Sequence, residues 1–239
     1  LTGKLCNMNP ILDLCKKHNI YLIEDAAQAI GAEDEFGRKA GSIGIASSFS
    51  LHPLKNLGVY GDGGIVTSQN EELLEKIKIM SNHGLINRDE CIFWGYNTRL
   101  DELQAAYASI KLNYLDEWTK KYITIANFYS KNITNKVTKP RTRKGAKDVF
   151  HNYVLTVNPL VRDKLMKDLL EEGLETKIHY PIPIHLQKCS EELNYKKGDL
   201  PNSERLAKSM ISLPIYPTLK EEELEFIVKT FNKKAAEII

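Results

Sequence analysis

Residues 9–25 read NPILDLCKKHNIYLIED, a helix signature running without a linker into a short apolar segment closed by two acids. Asn9 suits an N-cap, Pro10 suits the first helical position, and Ile11, Leu12, Leu14 and Cys15 make one apolar face. The apolar segment predicts a buried strand of the parallel kind. Two further β-like runs follow, SIGIASSFSL at 42–51 and GGIVTS at 63–68. Asn70 is then placed to cap a helix carrying Leu73, Leu74, Ile77 and Met80. Helix and strand alternating at this spacing predict an α/β layered domain with a mainly parallel sheet.

Residues 100–133 keep a helical period with no internal glycine or proline, which predicts one long helix linking two domains. Beyond it the texture changes. VFHNYVLTV (149–157) is strand-like, RDKLMKDLLEEG (162–173) is a helix ended by Gly173, and LETKIHYPIP (174–183) is extended. NSERLAKSMISLP (202–214) and EEELEFIVKTFNKKAAEII (221–239) predict two more helices. The expected division is 1–122, an α/β unit with the linking helix, and 123–239, a smaller α+β unit.

Composition narrows the function. The 33 lysines and arginines nearly balance 31 acids, and the basic clusters are dispersed without interleaved aromatics, so no nucleic-acid partner is expected. No apolar stretch approaches the ~20 residues of a membrane span, and no signal-peptide pattern is present, which points to the cytoplasm. Cys6, Cys15, Cys91 and Cys189 are scattered and read as reduced thiols. The six histidines form no HExxH or HxxxH pattern, so no metal site is expected. The chain opens at Leu1 and enters a patterned helix within a few residues, which reads as a fragment beginning inside a domain.

Asp25 falls at the carboxyl end of the first strand, where open α/β sheets bind ligands, although an acid there also suits capping of the next turn. Gln28 belongs to the same crevice edge. Lys55 stands in FSLHPLKNLGVYGDGG (49–64). A lysine desolvated beside apolar strands loses proton affinity and becomes a nucleophile suited to Schiff-base chemistry, while a solvated hairpin lysine is the plainer alternative. Ser50 and His52 offer a hydroxyl and an imidazole, and Gly58, Gly61, Gly63 and Gly64 allow backbone to approach a bulky ligand. The loop is neither a Walker A sequence nor GxGxxG, since Val66 occupies the last glycine position. A strand-end acid followed some thirty residues later by a shielded lysine suits pyridoxal phosphate chemistry.

Three segments together, IEDAAQAIGA (23–32), GSIGIASSFSLHPLKNLGVYGDGG (41–64) and FWGYNTRLDELQAAYASIKL (93–112), resemble the DegT/DnrJ/EryC1/StrS family of sugar aminotransferases. The similarity runs from about residue 1 to the end. It implies the pyridoxal-phosphate-dependent transferase fold of type I (aspartate aminotransferase-like), with the C-terminal portion of the large domain plus a smaller α+β domain. It further implies pyridoxal phosphate as cofactor, an amino-acid donor such as L-glutamate, and a nucleotide-linked keto sugar as acceptor. By the same resemblance Lys55 is the catalytic lysine that joins the cofactor. Asp25 faces the pyridine nitrogen, Gln28 lies beside the ring, and Ser50 binds the phosphate. Asn97 matches an asparagine that reaches the partner's phosphate, which implies a homodimer with shared sites.

His52, Tyr60 and Arg99 are pocket-lining candidates. KIHYPIPIHLQ (177–187) also resembles the family's C-terminal substrate-side segment, a resemblance that makes His179, Tyr180 and His185 candidate sugar or nucleotide contacts, with turn and core packing as the alternative. Family members carry an N-terminal segment, including a phosphate-binding turn, that has no counterpart before LTGK. RLDELQAA (99–106) looks more like members that aminate C3, which suggests a 3-keto-6-deoxyhexose on dTDP. A 4-keto or UDP-linked sugar and a non-catalytic regulatory homologue remain alternatives. The family's dehydratases carry histidine at the position of Lys55, so the lysine argues against that activity.

Overall fold

The computed structural model describes residues 1–238. The chain forms two units: residues 3–120 with 142–151, and residues 121–141 with Asn152 onward.

In the first unit, α1 (Met8–His18) precedes β1 (Ile23–Asp25), β2 (Ala46–Ser50), β3 (Gly64–Thr67), α2 (Glu71–Ser81) and α3 (Glu102–Leu112). The cap of α1 is Asn7 rather than Asn9. Pro10 is tolerated inside the first turn because the N–H it lacks has no intrahelical partner there. Asn9 instead accepts a hydrogen bond at 2.7 Å from Arg38 Nη2. Asn70 does cap α2, its Oδ1 accepting the N–H of Leu73 at 2.9 Å.

β1 pairs parallel to β2, with Ile23 opposite Ala46 and Asp25 opposite Ser48. β3 pairs antiparallel to β2, with Ser50 opposite Gly64. The described sheet is therefore mixed rather than mainly parallel, because residues 51–63 form turns and not the helix a parallel crossover usually needs. Nor is β1 buried as its apolar run suggests. It is an edge strand, and Ile23 is 70% exposed. Glu24 faces inward instead and accepts the N–H groups of Gly41, Ile43 and Gly44 at 2.9, 2.7 and 2.7 Å. Leu5, Met8, Ala26, Ala32, Ala40 and Val149 pack one core. Leu51, Leu57, Val59, Ala108 and Leu115 pack another, which joins the loop after β2 to the helical side.

The helix expected over 100–133 is two helices, α3 and α4 (Leu115–Asn132). Between them the N–H groups of Asn113 and Tyr114 bond three residues back, to Ile110 and Lys111. Asn113 Nδ2 also donates to the Ser109 carbonyl at 3.4 Å. A polar side chain competing for backbone groups tightens the turn there, with no glycine or proline required.

The second unit holds β4 (Tyr153–Thr156), α5 (Arg162–Glu171), 3-10 turns at Ile184–Leu186 and Lys188–Leu193, α6 (Pro201–Ser209), β5 (Met210–Leu213) and α7 (Glu221–Ile238). β4 and β5 pair antiparallel, Tyr153 opposite Leu213. The helix expected over 202–214 stops at Ser209, and MISL becomes strand. Tertiary packing overrides helical period here, since Ile211 and Leu213 point into a core with Tyr153, Leu155, Leu165 and Phe231.

Candidate active site

The parallel pairing of β1 and β2 sets their carboxyl ends side by side. Asp25 lies opposite Ser48, and Ser50, two residues on, shares that face of the sheet. Asp25 Oδ1 accepts the N–H of Ala27 at 3.1 Å, so the carboxylate does cap the following turn, and Gln28 stands within that turn. A cavity of about 310 Å³ opens beside Asp25, lined also by Lys4, Cys6, Ile23 and Ala29.

After β2 the chain folds into a tight turn. Ser50 Oγ accepts the N–H of His52 at 3.2 Å, His52 Nδ1 accepts the N–H of Leu54 at 3.2 Å, and the Lys55 N–H donates to the His52 carbonyl at 2.8 Å. An acceptor role at Nδ1 places the proton of the neutral His52 ring on Nε2. Gly58 closes the turn. A Cβ there would stand 2.4 Å from the Pro53 carbonyl oxygen and 2.7 Å from that of His52. At Gly63 a Cβ would meet Leu100 Cδ1 at 2.8 Å. The close approaches these two glycines permit are therefore between parts of the protein itself.

Lys55 is half-buried, and burial lowers its proton affinity while the Asp25 carboxylate opposes the shift. Among the described residues, Lys55 Nζ has no hydrogen-bond or ion-pair partner.

Tyr60 is 78% exposed, stacks on Tyr107 at 4.2 Å between centroids, and its N–H donates to Gln104 Oε1. Asn97 and Arg99 form a separate cluster. Arg99 Nη2 and Nε donate to Asn97 Oδ1 at 2.8 and 3.2 Å, and Arg99 Nη1 donates to Asn82 Oδ1 at 3.3 Å.

The remaining candidates belong to the second unit. His179 Nδ1 lies 2.9 Å from Ser212 Oγ, and burial with the Lys177 charge lowers its proton affinity. Tyr180 is exposed and meets the His179 ring edge-on. His185 is buried with Nε2 3.2 Å from Glu204 Oε1, which also accepts the Gly198 N–H at 2.7 Å.

The structure thus brings Asp25, Ser50, His52 and Lys55 to adjacent strand ends. Sequence reasoning passed over two residues that brace them. Asn56, 6% exposed, donates to the Val149 carbonyl at 3.1 Å and contacts His151 Nδ1 at 3.0 Å. Lys111 donates to the Gly58 carbonyl at 2.5 Å. An asparagine directly after Lys55 was the one local signal; Lys111 has none. Among the described residues no group of three or more His, Cys, Asp or Glu side chains is arranged to hold a metal. No helix of the described residues is long and apolar enough to cross a membrane.

Known proteins resemble this chain in sequence and in fold. The model of the DegT/DnrJ/EryC1/StrS aminotransferase family matches residues 1–232. A dTDP-3-amino-3,6-dideoxy-alpha-D-galactopyranose transaminase of Aneurinibacillus thermoaerophilus is 40% identical over 234 residues, covering 98% of this chain and 63% of that one. A pleiotropic regulatory protein of Geobacillus stearothermophilus is 40% identical over 233 residues, covering 96% and 62%. The crystal structure of DesV from S. venezuelae superposes with a TM-score of 0.94 at 33% identity, covering 100% of this chain and 64% of DesV. The chain therefore spans somewhat under two thirds of the length of these relatives. With residues 1–232 matched by the family model and the fold shared with its solved members, this chain belongs to the DegT/DnrJ/EryC1/StrS aminotransferase family.

Proposed function

We propose that the protein is a pyridoxal-phosphate-dependent aminotransferase acting on a nucleotide-linked keto sugar. The observation that carries the reading is Lys55: a half-buried amine of lowered proton affinity, without a bonding partner, in the field of Asp25. That donor set fits pyridoxal phosphate, with an amine for the aldehyde, a carboxylate for the ring nitrogen and the Ser50 hydroxyl for the phosphate. Bound there, the cofactor would supply a carbonyl for amines to join and a ring that takes up electrons from a substrate carbon.

The residues of the chain do the rest. Asp25 holds a proton on the ring nitrogen. Lys55 Nζ, deprotonated more readily than a solvated lysine, takes and returns the proton at the substrate carbon. Gln28 flanks the ring, while His52, Tyr60 and Arg99 bound the substrate side. His179, Tyr180 and His185 are assigned to the sugar nucleotide. The donor is L-glutamate, and the acceptor is a 3-keto-6-deoxyhexose on dTDP, in line with the name of the A. thermoaerophilus relative. A 4-keto or UDP-linked sugar is the nearest alternative acceptor. The enzyme works in the cytoplasm as a homodimer, Asn97 reaching the partner's phosphate; the exposed apolar side chains around Asn97 support this.

A second reading is a non-catalytic regulatory homologue, favoured by the name of the G. stearothermophilus relative. The unpartnered Lys55 amine opposes it. The test is an absorbance spectrum of the protein with pyridoxal phosphate, before and after L-glutamate. A cofactor band that forms on Lys55, changes with glutamate and is absent in Lys55→Ala supports the enzyme. A spectrum indifferent to glutamate and to the substitution supports the regulatory reading.

A further inference from the structure

Lys111 lies on α3 with its Nζ 2.5 Å from the Gly58 carbonyl, 5.3 Å from the centroid of the Tyr107 ring and 5.5 Å from that of Trp118. We propose that Lys111 is a positioning residue, a clamp on the Gly58 carbonyl that holds the 52–58 turn and thereby sets the place of Lys55. Burial lowers the proton affinity of Lys111, yet no carboxylate compensates the charge among the described residues. A charge-assisted bond to a carbonyl and two aromatic faces are what hold the ammonium there.

Gly58 is the point at which such a clamp controls the whole turn. The Gly58 Cα packs against the His52 and Pro53 carbonyls, and the next N–H, that of Val59, donates to the Leu51 carbonyl at 2.8 Å. Asn56 pins the same turn through Val149. Lys55 Nζ has no tether of its own, so its position follows from the backbone that Lys111 and Asn56 hold. The importance of placing Lys55 rests on the aminotransferase reading; the clamp itself does not.

The test is cleavage by endoproteinase Lys-C after Lys55 in cofactor-free protein, with exposed Lys197 as internal reference. Lys111→Met removes the donor and keeps the apolar stem. The Lys55 to Lys197 cleavage ratio is expected to rise about tenfold, as the local opening equilibrium loses a charge-assisted hydrogen bond. Lys111→Arg, which keeps a cation and a donor, is expected to restore most of the protection. An unchanged ratio in Lys111→Met overturns the proposal, and so does a rise that Lys111→Arg shares in full. If Lys111→Met does not fold, Lys111→Gln, whose amide is too short to reach Gly58, is judged by the same ratio.

A second readout is the fraction of pyridoxal phosphate that borohydride fixes to Lys55, which is expected to fall several-fold in Lys111→Met. No fixation in the unsubstituted protein would sink the aminotransferase reading, while the cleavage ratio would still decide the clamp.

Discussion

The side-chain amide of Asn56, the residue after Lys55, donates to the carbonyl of Val149, 93 positions along the chain, at 3.1 Å. The same amide contacts His151 Nδ1 at 3.0 Å, so a buried polar group joins the lysine turn to the 142–151 segment of the same unit. Asn56→Ala strips the Val149 carbonyl of its side-chain donor and is expected to cost about 2 kcal/mol, within the usual range for a buried group left unsatisfied. Urea unfolding should show a lower midpoint at unchanged slope. Asn56→Asp should cost more than alanine, because a carboxylate would face the carbonyl with no proton to give. An aspartate variant as stable as the alanine variant would contradict this account.

Lys55 provides a pH dependence whose sign is fixed by its surroundings. Burial holds the ammonium below its ordinary 10.5, so the folded chain gives up this proton at a lower pH than the unfolded chain. Between those two values the unfolded state binds more protons, and the contribution of Lys55 to stability rises with pH across that window. Asp25 partly offsets the burial, so Asp25→Asn should push the amine lower still. NMR titration of ¹³C-methylated lysines should give Lys55 a midpoint below those of the exposed lysines, and a further drop in Asp25→Asn. A rise in that variant would refute the assigned interaction.

Much of this was legible in the residues. Asn70 and the apolar spacing behind it announced α2, and the acid at the end of IYLIED announced a strand end at Asp25. Local chemistry decides such features, which is why local reading finds them. The break between α3 and α4 was hidden because it depends on Asn113 bonding back to Ser109, a choice composition does not force. β5 was hidden because MISL has no strong preference of its own until Ile211 and Leu213 meet the core. In the candidate site, Asp25 and Lys55 were legible as chemistry-bearing types. Lys111 was not, because what matters is a contact across 53 positions to a glycine carbonyl.

In the second unit the Gly198 N–H, and then the His185 ring, hold the Glu204 carboxyl below the usual carboxylate range, against the opposing effect of burial. A depressed carboxylate contributes stability above its unfolded pKa and loses it as pH falls through the folded value. Glu204→Gln removes the titrating group. The drop in melting temperature between pH 7 and pH 4 should be smaller in the variant than in the unsubstituted protein. An equal drop would place the acid sensitivity elsewhere.

Trp94 is 96% exposed, on a segment that also presents Ile86, Ile92 and Tyr96 to solvent and ends at Asn97. Bridges between Asn82 and Asn97 and between Leu85 and Cys91 hold that segment in shape, so the apolar side chains are displayed on formed backbone. A concentrated display of this kind marks an interaction surface, and the homodimer reading assigns it to a second copy of the chain. Trp94→Glu would bury a carboxylate at the centre of that contact. A tryptophan anchor contributes about 2 kcal/mol or more, so the dimer dissociation constant should rise about 30-fold or more. Analytical ultracentrifugation should find dimer for the unsubstituted protein and monomer for the variant at the same micromolar concentration. Because Asn97 lies three residues on, the variant should also retain less pyridoxal phosphate after gel filtration. An unsubstituted protein that sediments as a monomer, or a variant that dimerises as tightly, would remove Asn97 from the partner's site and leave each chain to hold the cofactor phosphate alone.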